Sequence, residues 1–202
     1  MLLLSSCDFS TEPLHTAMLQ HLPKPIEDCR LLFIPNEKAL PRRLKNGTYL
    51  HRAMELGFSE QNISIFNRYE PEPFFGKETD VLYIGGGNTF CMMDDLRRTG
   101  FDKEILRLVQ SGVTYIGASA GAHLVSQNIR HVQAFDENLP GLTDFSGLGL
   151  FPGILVCHYD ETRRKIFEKL QKESPYPVFA LKNDDLIVYP QQDNPFSETD
   201  HP

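Results

Sequence analysis

The stretch TYIGASAGAHL, residues 114–124, decides the fold because it joins a strand-like run to a helical run through one serine with small neighbours. Gly117-Ala118-Ser119-Ala120-Gly121 fits GxSxG, the pattern of a strand that turns sharply into a helix and exposes the serine hydroxyl. The helix from Ala120 onward points free N–H groups at that hydroxyl, which favours an oxyanion there. The stretch therefore predicts a reactive serine. The alternative is a small-residue helix that packs closely on a sheet.

Apolar strand-like runs and amphipathic helical runs alternate on both sides of this stretch. This alternation is typical of an α/β three-layer sandwich, in which a mostly parallel sheet carries helices on both faces. Because no repeat or linker interrupts it, we predict a single domain over 1–190 and a polar C-terminal tail at 191–202. The predicted strands are 2–5, 30–35, 63–66, 81–84, 113–117, 154–158, 178–181 and 186–189, and the predicted helices are 13–22, one long helix over 44–56, 89–98, 102–111, one from 120 and 161–172.

The composition excludes several classes of protein. The net charge of −7 over 202 residues argues against a nucleic-acid partner, since phosphate contacts need clustered Lys and Arg. The four cysteines form no CxxC pair, so neither a zinc site nor a redox motif is predicted, and we expect no metal and no organic cofactor. No apolar run approaches the roughly 20 residues of a membrane helix. The start MLLLSSC lacks a basic segment, so we read it as a strand. Three of the cysteines fall in or beside apolar stretches, which suits reduced, buried thiols, and we therefore expect a cytoplasmic protein.

A glycine triplet, Gly85-Gly86-Gly87, follows the predicted strand 81–84. Glycines at the carboxyl end of a parallel strand let backbone N–H groups approach a reacting oxygen, as an oxyanion hole requires. The competing interpretation is a phosphate loop. It is weak, because GxGxxG needs glycine where Phe90 stands and no Walker lysine follows.

A serine hydroxyl needs a base, usually a histidine that a carboxylate orients. His158 follows the run ILVC, so we expect it at the same sheet edge as Ser119. His123 is the alternative, but one turn beyond the serine it should point along the helix. His131 lies in the irregular stretch 130–153, and the remaining histidines read as surface residues.

Four acidic residues are candidates for orienting the histidine. Asp136 and Glu137 lie between Ser119 and His158 in the irregular stretch, and Asp144 and Asp160 are rivals. The order serine, acid, histidine matches that of α/β-hydrolases, although 202 residues is short for one.

Together these segments resemble the peptidase E family, the cytoplasmic serine dipeptidases related to cyanophycinase. YIGGGNTF at 83–90 and GASAGAHL at 117–124 are similar to its two most diagnostic segments, and GLGLFPGILVCHYDETR at 147–163 is similar to its histidine segment. The resemblance runs over nearly the whole chain to about Tyr189. It implies a class I glutamine amidotransferase-like, flavodoxin-like fold.

The resemblance also implies roles for individual residues. Ser119 is expected to be the nucleophile and His158 the base, and the usual third member is an acid about 15 to 18 residues beyond the serine. Asp136 fits that window best and Glu137 is the reserve. The expected oxyanion donors are the N–H groups of Gly86 or Gly87 and of Ala120, and the expected substrate contacts are Asn88 and Arg163.

Two features depart from the family pattern. The member best known for cleaving N-terminal aspartyl dipeptides has a longer loop before its ETR-like segment, whose arginine holds the substrate carboxylate. Here four residues separate His158 from Arg163, which puts aspartyl specificity in doubt. Cys157 also stands where the family generally has proline.

The sequence thus predicts a serine exopeptidase of the dipeptidase type that acts on small peptides, as a monomer or homodimer. Two alternatives keep the fold. One is an esterase or amidase on non-peptide substrates, and the other is a non-catalytic protein that binds small peptides.

Overall fold

Six of the eight predicted strands form one sheet in the computed structural model, which describes residues 1–190. The order across the sheet is β3-β2-β4-β5-β1-β8; β8 at one edge is antiparallel to β1, and the other neighbours are parallel. The strands are β1 (Leu2–Ser5), β2 (Leu31–Ile34), β3 (Ile63–Ile65), β4 (Val81–Ile84), β5 (Thr114–Ala118), β6 (Ile154–Val156), β7 (Val178–Ala180) and β8 (Leu186–Tyr189).

Helices cover both faces of this sheet, because successive strand side chains point to opposite sides. Leu82 and Ile84 pack in one apolar cluster with Met92 and Ile105, and Leu3 and Tyr83 pack in the other with Met18 and Ala53. The predicted α/β three-layer sandwich is therefore confirmed. The helices are α1 (Leu14–Gln20), α2 (Pro41–Lys45), α3 (Thr48–Glu55), α4 (Thr89–Thr99), α5 (Phe101–Gln110), α6 (Ala120–Leu124) and α7 (Arg164–Glu173).

Three elements differ from the prediction. β6 and β7 form a separate two-stranded parallel pair and do not extend the central sheet. The long helix predicted over 44–56 is two helices, because Gly47, with φ 77°, ends α2 and begins α3. The helix after Ser119 ends at Leu124, and the chain then loops back against the β6 segment through a hydrogen bond from Gln127 N to the Gly153 carbonyl.

The predicted tail at 191–202 lies outside the described residues, and the single domain over 1–190 stays a prediction. Among residues 1–190, none of the helices has the length and apolar content that a bilayer crossing requires.

Candidate active site

Ser119 occupies a strained turn between β5 and α6. Its φ of 52° and ψ of −109° lie outside the regions that L-residues favour. A side chain at Gly121 would overlap the Ile84 carbonyl oxygen, and a Cβ at Gly117 would lie 2.7 Å from the Gly121 carbonyl oxygen. Small residues at both positions are thus a steric condition of the turn, as the sequence predicts.

Hydrogen bonds fix this turn to its neighbours. Ser119 N donates to the Ser5 carbonyl at 2.9 Å, and Gly121 N donates to the Gly85 carbonyl at 3.2 Å. The buried Tyr115 hydroxyl donates to the Gly121 carbonyl at 2.6 Å. The serine is therefore held from β1, from the glycine loop and from its own strand.

The His158 ring lies beside the Ser119 hydroxyl. Ser119 Oγ and His158 Nε2 are 3.0 Å apart, and both side chains are partly buried. Within residues 1–190, Ser119 and His158 are the only non-glycine residues with positive φ, His158 at 51°. Such backbone strain costs about 1–3 kcal/mol per residue and concentrates at functional sites.

Two side chains set the backbone around His158. The Ser6 hydroxyl, just beyond β1, accepts from His158 N and donates to the Leu181 carbonyl, both at 2.8 Å. Arg163 Nη1 donates to the Cys157 carbonyl at 2.6 Å. The residue that carries the imidazole is therefore tied to β1, to the end of β7 and to the start of α7.

The other ring nitrogen of His158 contacts Asn183, and the expectation that Asp136 holds the ring is not met. His158 Nδ1 lies 2.9 Å from Asn183 Oδ1. Asp136 Oδ2 instead accepts from Thr89 N at 2.8 Å, because the 130–137 segment folds against the N-terminus of α4. Asp136 therefore caps a helix.

The other acidic candidates also bind groups other than the His158 ring. The reserve residue Glu137 contributes its carbonyl, which accepts from Asn88 Nδ2 at 2.9 Å. Asp144 pairs with Arg97, and Asp160 accepts from the Thr162 amide and hydroxyl within a turn. Among the hydrogen bonds and ion pairs of residues 1–190, no carboxylate contacts the His158 ring.

The backbone N–H groups of Gly86, Gly87 and Ala120 have no hydrogen-bond acceptor among residues 1–190. A Cβ at Gly86 would lie 3.4 Å from the Ser119 Cβ, so the glycine loop passes directly beside the nucleophilic turn. At Gly87 a side chain would collide with Glu37 and Asn36. The loop thus brings bare amides close to the hydroxyl, the geometry that stabilises an oxyanion.

His123, the alternative base, points away from the serine. It is buried; its Nε2 accepts from Cys157 N at 3.4 Å, and its Nδ1 lies 3.4 Å from the Thr89 hydroxyl. Burial lowers its pKa well below the usual range, so the ring is neutral in the fold. It packs edge-on against the buried His131, 5.6 Å between ring centres, as part of the core.

The two expected substrate contacts have different surroundings. The side-chain polar groups of Asn88 are already hydrogen-bonded within the protein. Its Oδ1 accepts from Cys91 N as the N-cap of α4, and its Nδ2 donates to the Glu137 carbonyl. The guanidinium of Arg163 lies 4.0 Å from the centre of the Phe135 ring. Only its Nη1 donates to protein among residues 1–190, so other N–H groups remain for a ligand.

Sequence reasoning missed Asn183 and Ser6. Asn183 lies 25 positions beyond His158, and only the pairing of β6 with β7 brings them together. The one local signal is the polar run Lys182-Asn183-Asp184-Asp185 directly after a predicted strand. In residues 1–190, no group of three His, Cys, Asp or Glu side chains is placed to hold a metal ion.

The fold and site define a class of protein: an α/β protein with a serine–histidine pair at a strand-to-helix turn and bare amides beside it, the arrangement used for acyl transfer. The model of peptidase family S51 matches residues 1–194, and the chain belongs to that family.

Individual relatives agree with this assignment. The chain is 36% identical over 116 residues to an uncharacterized peptidase of Listeria monocytogenes, covering 55% of this chain and 57% of that one. It is 29% identical over 138 residues to peptidase E of Pasteurella multocida, covering 67% and 58%. The chain thus spans about half the length of the curated relatives it matches.

Solved structures give the same fold. A candidate peptidase E from Listeria monocytogenes superposes with a TM-score of 0.70 at 25% identity, over 92% of this chain and 96% of that one. A peptidase from an acI-B1 actinobacterium gives 0.57 at 16% identity, over 90% and 80%, and supports the fold alone.

Proposed function

We propose that the protein is a serine peptidase that hydrolyses short peptides through a covalent acyl-enzyme. The observation that carries the proposal is the 3.0 Å contact between Ser119 Oγ and His158 Nε2 beside the unpaired amides of the glycine loop. Membership of peptidase family S51 supports peptides as substrates.

The reaction follows from this geometry. His158 Nε2 accepts the hydroxyl proton as Ser119 Oγ bonds to the peptide carbonyl carbon, and the carbonyl electron pair moves to oxygen. The N–H groups of Gly86, Gly87 and Ala120 stabilise that oxyanion, and loss of one such donor typically costs about 3 kcal/mol of barrier. The intermediate collapses as His158 gives its proton to the leaving amine, and His158 then activates the water that releases the acid.

Arg163 is proposed to meet a carboxylate of the substrate. Its guanidinium is half-buried on the face of Phe135, most of its donors are free of protein acceptors, and within residues 1–190 it has no ion-pair partner at 4 Å or less. A carboxylate on the peptide can use those donors as a charge-assisted pair. Every dipeptide carries a C-terminal carboxylate and an acidic side chain adds a second, so the proposed substrates are dipeptides with an acidic side chain, cleaved by an exopeptidase.

A dipeptide library tests this function. Purified wild type is expected to cleave a subset of dipeptides, Ser119→Ala none of them, and the distant serine variant Ser111→Ala the same subset at the wild-type rate. Cleavage by Ser119→Ala at the wild-type rate rejects the mechanism. Turnover of aryl esters without turnover of any dipeptide assigns an esterase instead, and saturable binding without turnover assigns a binding protein.

Arg163→Gln tests the substrate carboxylate. The variant is expected to lose kcat/KM at least about 10-fold more on acidic than on alanyl dipeptides, because a charge-assisted hydrogen bond at a half-buried site is worth about 1.5 kcal/mol or more. Equal losses of kcat/KM on both kinds of dipeptide would mean that Arg163 only supports the Cys157 carbonyl and does not bind the substrate.

We also propose that the enzyme acts in the cytoplasm. Its four cysteines are all free, and Cys29 and Cys157 are buried. Unpaired buried thiols suit a reducing compartment. Fractionation of cells that produce the tagged protein is expected to find it with cytoplasmic markers.

A further inference from the structure

We propose that Asn183 is the positioning residue of the active-site histidine, so that a neutral amide stands where the chemistry usually has a carboxylate. The inference rests on the proposed function for its kinetic consequences. Its geometric basis is the 2.9 Å contact between Asn183 Oδ1 and His158 Nδ1, on the opposite side of the ring from Ser119.

The β6–β7 pair brings these two residues together. Leu181 N donates to the Val156 carbonyl at 3.0 Å, and Tyr159 N donates to the Leu181 carbonyl at 2.8 Å, so backbone hydrogen bonds continue beyond the ends of both strands. The Ser6 hydroxyl bonds both the Leu181 carbonyl and His158 N. His158 and Asn183 therefore leave the pair side by side, at a separation fixed by backbone bonds.

A closed turn presents the Asn183 side chain. Lys182 N donates to Asp185 Oδ2 at 2.7 Å, and Asp185 N donates back to the Lys182 carbonyl at 3.2 Å. The carboxylate of Asp185 thus serves the turn itself. The charge of Asp184 raises the pKa of the Cys7 thiol, after the larger effects of burial and of Asp8. Neither adjacent carboxylate contacts the imidazole.

Asn183 would orient the His158 ring without placing a negative charge beside it. An amide oxygen that accepts from Nδ1–H leaves Nε2 unprotonated and aimed at the serine, as a base requires. A carboxylate there would also stabilise the imidazolium by charge. Other ionisable side chains on the elements that meet at His158 include Tyr159, Lys182, the neutral His123, the buried Cys157, Arg163 and Asp160, and the Asp160 carboxylate accepts hydrogen bonds within its own turn.

Nuclear magnetic resonance of the His158 ring tests the orientation without any substrate. Nitrogen-15 shifts of the wild type are expected to show the proton on Nδ1, and Asn183→Ala is expected to lose that preference. Asn183→Asp is expected to keep the proton on Nδ1, because a carboxylate oxygen accepts from the same ring nitrogen. Asp184→Asn, the neighbouring control, is expected to leave the tautomer as in wild type.

Kinetics on a cleaved dipeptide give the second readout. Asn183→Ala is expected to lower kcat about 10-fold or more with KM changed less than about 3-fold. General acid–base catalysis typically increases the rate by about 10²–10⁴-fold, and a base that is not oriented loses part of this increase. Asn183→Asp is expected to move the acid limb of kcat/KM to higher pH. Asp184→Asn is expected to do neither.

The outcomes separate this inference from the function. A wild-type ring protonated on Nε2, or a tautomer and acid limb unaffected by both Asn183 variants, overturns the positioning role while Ser119→Ala still decides the peptidase. A chain that cleaves nothing but shows both ring effects keeps the positioning role and loses the peptidase.

Discussion

At the residue scale, the turn around Ser119 shows which features of the site steric constraints make predictable from the sequence. Gly117 and Gly121 have no space for a side chain, and the GxSxG pattern indicates this from the sequence alone, although the group that a Gly121 side chain would meet is the distant Ile84 carbonyl. The proposed oxyanion donors can also be predicted from the local sequence, since they include glycines directly after a predicted strand. Asn183 does not follow from local sterics, because no neighbouring residue specifies its partner 25 positions away.

Gly121→Ala tests the steric argument. The added methyl group would overlap the Ile84 carbonyl oxygen at the carboxyl end of the inner strand β4, so overpacking is expected to lower the free energy of unfolding by about 3 kcal/mol. Urea unfolding measures it. Gly85→Ala is the matched control, since its Cβ would make only an ordinary 3.7 Å contact with Tyr83. Equal losses in the two variants would contradict the account.

Tyr115→Phe removes the hydroxyl that donates to the Gly121 carbonyl. The carbonyl is then left without this partner in the core, so a loss of about 1–2 kcal/mol of unfolding free energy is expected. Thermal and urea unfolding check the value. An unchanged stability would mean that the bond does not fix the turn.

At the scale of elements, the alternation of strands and helices predicts the central sheet, because apolar runs and amphipathic runs carry different periods. The same pattern does not reveal that β6 and β7 leave the sheet, since strand pairing depends on contacts between distant segments. The irregular stretch 130–153 misleads for a related reason. In the sequence, a carboxylate shortly after the serine is interpreted as a catalytic acid. In the structure, that carboxylate instead accepts a hydrogen bond from the N-terminus of α4.

Asp136→Ala separates a capping carboxylate from a catalytic one. Loss of the bond to Thr89 N at the start of α4 is expected to lower the free energy of unfolding by about 1 kcal/mol, with the acid limb of kcat/KM unmoved. Asp144→Ala, an exposed carboxylate of the same stretch, is expected to change stability by less than about 0.5 kcal/mol. A shift of the acid limb in Asp136→Ala would restore Asp136 as a partner of the histidine.

At the scale of the whole molecule, two buried histidines make stability depend on pH. Burial lowers the pKa of His123 and His131, so the folded chain keeps both rings neutral while the unfolded chain takes up protons below about pH 6.5. Above that pH the two neutral rings make their full contribution to the free energy of unfolding. As the pH falls toward the pKa values of the folded state, this free energy decreases by at most about 1.4 kcal/mol per pH unit for each histidine.

Urea unfolding between pH 7.5 and pH 5 is expected to show this fall. His123→Asn or His131→Asn is expected to flatten it, and His51→Asn, on an exposed helix face, to leave it unchanged. A stability that stays constant over this range would refute the burial of neutral rings.

The central claim, that Ser119 is a nucleophile activated by His158, is tested most directly by mass spectrometry after reaction with a fluorophosphonate. One phosphonyl group is expected on Ser119 in the wild type and none in Ser119→Ala, and the labelling rate is expected to be at least about 100-fold lower in His158→Gln. Peptide hydrolysis by a wild-type protein whose Ser119 stays unlabelled, or labelling that His158→Gln does not slow, would contradict it.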